Sequence, residues 1–96
     1  MGAGAGLLLG YMIGNEIEKL SDTSKRHTAA ILEQAPSGVP MRWQDPDSGK
    51  QMTGVASPTY AQSGRMYRDI RIYDSEGKVI NARAFRDMYG NWFLVQ

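Results

Sequence analysis

The chain contains no cysteine, and this excludes several functions at once. There is no disulfide, no thiolate metal site, no cysteine nucleophile and no cysteine lipidation in these residues. Histidine occurs once, at His27, so histidine-clustered metal sites are excluded as well. Charge of one sign is not in excess. The formal net charge is +1, with acids and bases interspersed and no basic stripe, which gives nucleic-acid binding no support. No lysine or arginine precedes the apolar start, so that start lacks the basic flank of an export signal. Gly6 stands where a myristoylation signal needs serine or threonine.

What the chain does have is an uncharged opening of small and bulky residues in a fixed rhythm. Gly2, Gly6, Gly10 and Gly14 recur at a spacing of four, and the first charge is Glu16. On a helix, residues four apart share one face. Four glycines would leave a groove bare of side chains, with Leu7, Leu8, Leu9, Tyr11, Met12 and Ile13 on the other faces. Glycine costs an isolated helix roughly 1 kcal/mol per residue relative to alanine. The pattern therefore predicts a zipper helix whose groove a second backbone fills, by self-association or membrane insertion. As a helix, residues 2–14 would span about 20 Å, short of the roughly 30 Å of a bilayer core. A shallow insertion, half of a hairpin or one member of a ring of helices all remain open.

From Asn15 to Ala35 a helical period continues with more polar residues. Ile17, Leu20, Ile31 and Leu32 form a thin apolar stripe. Ser21 to Ser24 are residues that favour caps and turns. Either one long helix runs through them, or a second helix begins with Ser21 or Asp22 as its cap. Pro36 and Gly38 end the helix. Beyond them the period becomes two, giving strands over Val39–Gln44, Lys50–Ala56, Arg65–Asp74, Lys78–Met88 and Trp92–Val95. Asp45-Pro46-Asp47-Ser48-Gly49 is a turn, and Ser57 to Gly64 reads as a loop. Ser75-Glu76-Gly77 fits a three-residue hairpin loop. Its register sets Tyr67 opposite Phe85, Asp69 opposite Arg83 and Tyr73 opposite Val79, with Ile70 against Ala82 and Ile72 against Ile80 on the other face. The predicted fold is α+β: an N-terminal glycine-zipper helix and a second helical segment over residues 1–35, then a small antiparallel sheet of about five strands over residues 39–96.

The ordered set of motifs resembles the glycine-zipper surface antigen family, the bacterial seventeen-kilodalton surface antigens. It comprises the glycine zipper, Leu32-Glu33-Gln34-Ala35-Pro36-Ser37-Gly38, Trp43-Gln44-Asp45-Pro46-Asp47-Ser48-Gly49, Gly64-Arg65-Met66-Tyr67-Arg68, Ala84-Phe85-Arg86 and Tyr89-Gly90-Asn91-Trp92. The resemblance implies a bacterial envelope protein, commonly at the outer membrane or in the periplasm, with a small β domain and no enzymatic activity. It also implies cysteines at the positions held here by Tyr67 and Phe85. An aromatic cross-strand pair would then stand in place of a bridge. Relatives carry a lipidated cysteine after a signal peptide, and these residues contain neither.

Candidate chemistry is sparse. His27 lies on a polar helix with no serine or carboxylate placed beside it by any signature, so a solvated role is expected. Asp45 and Asp47 lack the later ligands of a calcium loop and read as turn residues. Trp43 and Trp92 are expected in the core. No catalytic residue, metal or cofactor is expected. The expected function is a non-enzymatic envelope protein that forms homo-oligomers or enters a membrane through Gly2, Gly6, Gly10 and Gly14. Its β domain would contact structural or envelope partners, with neither nucleic acid nor a small-molecule substrate. The alternative is a subunit of a ring-like assembly such as a secretion apparatus or virion.

Overall fold

The computed structural model describes residues 9–13 and 17–96. Among them are β1 (Leu9–Ile13), α1 (Asp22–Gln34), β2 (Met41–Gln44), β3 (Gln51–Ala56), β4 (Tyr60–Gln62), β5 (Arg65–Asp74), β6 (Val79–Arg86) and β7 (Trp92–Val95). The strands form one sheet in the order β1-β7-β6-β5-β3-β2, with β4 paired to β5 beside that path. β1 runs parallel to β7, and every other described pair is antiparallel.

This architecture corrects the predicted fold. The chain is mostly β sheet with a single helix among the described residues, not a helix pair followed by five strands. Leu9–Ile13 is a strand on the β7 edge, and a bulge in its register falls at Gly10, between the pairs Leu9–Trp92 and Tyr11–Phe93. Gly2, Gly6 and Gly14 lie outside the described residues. The physical reason is that a short apolar run has no decisive period of its own. Its tyrosine and isoleucine suit a strand, its glycines suit a helix poorly, and the β7 edge offers backbone partners. Residues 60–62, read as loop, form β4. They return through Ser63 (φ 52°) and Gly64 (φ 75°), a two-residue turn with both residues left-handed.

The helix begins where the cap-forming residues stand. Ser21 is the N-cap, and its side chain accepts a hydrogen bond from the Ser24 amide at 3.1 Å. It ends at Ala35, whose extended backbone precedes Pro36. One face of the sheet is covered. Ile31, Leu32 and Ala35 of the helix meet Met52, Ala56, Ile70, Ile72, Ile80, Ala82, Ala84 and Leu94 in a continuous core, with Trp43 and Trp92 buried at its margins. Gly54 lets the helix approach: a Cβ there would stand 2.7 Å from Ile31 Cδ1. The β5–β6 register pairs Ile70 with Ala82 and Ile72 with Ile80 on this face, and Tyr67 with Phe85, Asp69 with Arg83 and Tyr73 with Val79 on the opposite one.

Candidate functional site

The two faces of the sheet do different chemistry. On the covered face the polar groups are engaged with one another. Asp45 is buried and gathers the N-terminal end of α1 to the β2–β3 turn. It accepts hydrogen bonds from the hydroxyls of Ser21 and Ser24, and from Ser48 through its amide and its hydroxyl, both at 2.9 Å. The bond from Ser21, followed by those from Ser24 and Ser48, holds the carboxylate well below the usual carboxylate range despite its burial. Trp43 Nε1 donates to Ser24 Oγ at 2.8 Å, and His27 stacks on the Trp43 ring at 5.1 Å with planes 3° apart. The lone histidine and the first aspartate of the turn are thus parts of a structural latch.

Arg68 is the second such group. It is 6 % exposed, and its guanidinium donates to the carbonyls of Ile31 (3.1 Å), Leu32 (2.8 Å), Ala35 and Ser57 (2.6 Å). The last turn of α1 contains no basic residue of its own. A cation from β5 therefore meets the negative end of the helix dipole and satisfies carbonyls that the helix leaves open. Near the other end of α1, a cavity of about 180 Å³ lies between Leu20, Lys50 and Asp74. Lys50 is paired there with Glu76 at 3.1 Å and Asp74 at 3.7 Å. The bond to Glu76 raises the Lys50 ammonium above its ordinary value.

The opposite face carries no helix among the described residues. One row of it is aromatic. Tyr60, Tyr67, Phe85 and Phe93 follow one another across β4, β5, β6 and β7, with ring centroids 5.7, 6.0 and 5.2 Å apart. The predicted pair Tyr67 and Phe85 lies at the centre of this row, in edge-to-face contact. Arg65 lies 4.5 Å over the Phe85 ring and Arg83 5.6 Å over Tyr67.

Beside the aromatic row runs a groove of about 730 Å³, crossing from Val95 on β7 to Val55 on β3. Its floor holds Asp69, Arg71, Asn81 and Arg83, and Tyr73 stands at its side. Arg71 Nε donates to Asn81 Oδ1 at 3.3 Å. Asp69 Oδ1 accepts from the Tyr60 hydroxyl at 2.8 Å and lies 3.9 Å from Arg83 Nε. The bond to Asp69 pushes the Tyr60 phenol above its ordinary value. Strand alternation places Arg42, Arg65, Arg71 and Arg83 on this face against one side-chain carboxylate, Asp69. The excess of cations is therefore local, since the whole chain carries only +1.

Sequence reading singled out Tyr67 and Phe85 but missed the groove. Its arginine floor comes from residues twelve positions apart, brought together by register, so no basic run announces it. Of the zipper positions, only Gly10 falls within the described residues, and it belongs to β1. Among the described residues, no group of three His, Asp or Glu is placed to hold a metal, and no helix is long and apolar enough to cross a membrane. No protein-family model, curated protein or solved structure matches the chain.

Proposed function

We propose that this chain is a non-catalytic binding module of the bacterial cell envelope, working through the open face of its sheet. The observation that carries the reading is the groove of about 730 Å³ on that face, floored by Arg71, Asn81, Arg83 and Asp69 and bordered by the aromatic row. It is a shallow, open depression that combines polar groups with apolar neighbours, and its volume lies within the roughly 300–1,000 Å³ typical of ligand sites. The groups best suited to acid–base chemistry are not assembled into one site: Asp45 accepts three serine hydroxyls, and His27 stands exposed on α1 with its ring face on Trp43. The envelope assignment rests on the family resemblance of the ordered motifs. Contact through a helical glycine groove is not part of the reading, because Gly10 lies in a strand.

Fractionation tests it. The chain is expected in the envelope fraction of a bacterial host, and Arg71→Ala with Arg83→Ala is expected to shift most of it to the soluble fraction. Both side chains are exposed, so the fold should survive their truncation. An unchanged distribution for the double variant would remove the open face from the function.

A further inference from the structure

We propose that the groove across the open sheet face binds an acidic oligosaccharide, a short chain of hydroxyl-rich sugars bearing carboxylates. This rests on the binding-module reading above and assigns its ligand. The donors and acceptors on the floor set the chemistry. The forks of Arg71 and Arg83 suit a carboxylate, which a guanidinium grips through two parallel bonds. The two described contacts of Asp69 both fall on Oδ1, which leaves the second oxygen to accept from a ligand donor. Asn81 keeps its two amide donors, because only its Oδ1 is used by Arg71. A ligand that satisfies all of these must carry negative charge and also donate hydrogen bonds. A carboxylated sugar does both. From β7 to β3 the groove crosses four strands, or roughly 14 Å at the usual strand spacing, which suits a short oligosaccharide.

The competing occupants fit less well. A single-stranded nucleic acid needs open ring faces on which to stack its bases. Here Phe85 lies between Phe93, parallel at 7°, and the guanidinium of Arg65, so its faces are already covered. A phosphodiester backbone also carries no hydrogen-bond donor to offer the second oxygen of Asp69, whereas a sugar hydroxyl does. An acyl chain would bury Asp69, Arg71 and Asn81 without partners. A second copy docking by this same face would set arginines against arginines across a two-fold axis.

The test is an amide-resolved NMR titration of the folded chain with hexagalacturonate and with a hyaluronan hexasaccharide. Maltohexaose serves as the neutral control and decathymidylate as the polyanionic one. Resonances of Arg71, Asn81 and Arg83 are expected to move with at least one acidic glycan, with a dissociation constant in the range of about 0.1–1 mM. Arg71→Ala and Asn81→Ala should each weaken binding about tenfold while the rest of the spectrum stays in place. No shift at these residues with either acidic glycan overturns the assignment, and so does tighter binding of decathymidylate or equal binding of maltohexaose. Fractionation separates the two ideas. If the arginine variants still leave the envelope while no glycan binds, the open face remains the contact surface and only the glycan is wrong. If they stay, the face itself is wrong.

Discussion

Arg68 is the residue on which the packing of α1 depends most. Four carbonyls around it come from the end of the helix and from the chain leaving β3. The Ile31 carbonyl keeps its helical partner, the Ala35 amide, but Leu32, Ala35 and Ser57 have no such reserve in α1. Burial lowers the Arg68 value from its ordinary one, yet guanidinium stays charged far above neutral pH. Arg68→Met is expected to cost about 3 kcal/mol in urea unfolding, because buried carbonyls lose their donors. Arg68→Lys should recover only part, since an ammonium lacks the planar fork. Asp45 works at the opposite end of the helix. Its carboxyl titrates lower in the folded chain than in the unfolded one, so its contribution is complete above the ordinary aspartate value of about 4 and is lost as pH falls. The urea midpoint is expected to drop between about pH 5 and 2. Asp45→Asn should cost about 2 kcal/mol at neutral pH and flatten that drop. Some slope should survive in the variant through Asp74. Burial there works against ionisation but is outweighed by the Lys78 and Glu76 amides, which lower its value too.

Between elements, β3 and α1 approach closely at Gly54. Gly54→Ala would bring a methyl group to 2.7 Å from Ile31 Cδ1 and 3.4 Å from the Trp43 ring. The isoleucine tip can move, whereas the indole is held by Ser24 and His27. The alanine variant is expected to lose about 1–2 kcal/mol. Adding Ile31→Val, which removes the clashing methyl, should return part of that loss and give a measurable coupling in thermal melts. The same elements show what the sequence disclosed. The β5–β6 hairpin was legible because the Ser75-Glu76-Gly77 loop length fixes its register, and Gly77 takes the expected left-handed conformation at φ 91°. The start of α1 was legible in Ser21. β4 was not, because Ser63-Gly64 is a weaker hairpin signal than asparagine-glycine. The N-terminal half of the buried helix face was hidden as well: it is Ser24, which bonds Asp45 and Trp43 from another part of the chain, and Thr28, whose hydroxyl donates to the Ser24 carbonyl one turn back. β1 was misread because the glycine spacing suggested a helix, while the partner that makes it a strand lies some eighty residues away on β7.

At the scale of the whole molecule the sheet separates two roles. Its covered face holds the core and the buried charges Arg68 and Asp45. Its open face gathers four arginines against one aspartate beside a row of packed rings. That asymmetry could not be read from the sequence, where acids and bases alternate and the total is +1. It makes binding through the open face sensitive to salt: attraction to an acidic ligand should weaken between 50 and 500 mM salt, roughly the range over which the screening length falls below 10 Å. The most direct measurement is photocrosslinking in cells from benzoylphenylalanine placed at Asn81, in the open groove, or at Arg26, on the exposed side of the helix. Adducts are expected from position 81 and should be few from position 26. Equal labelling from both positions, or adducts only from the helix, would contradict a function carried by the open face.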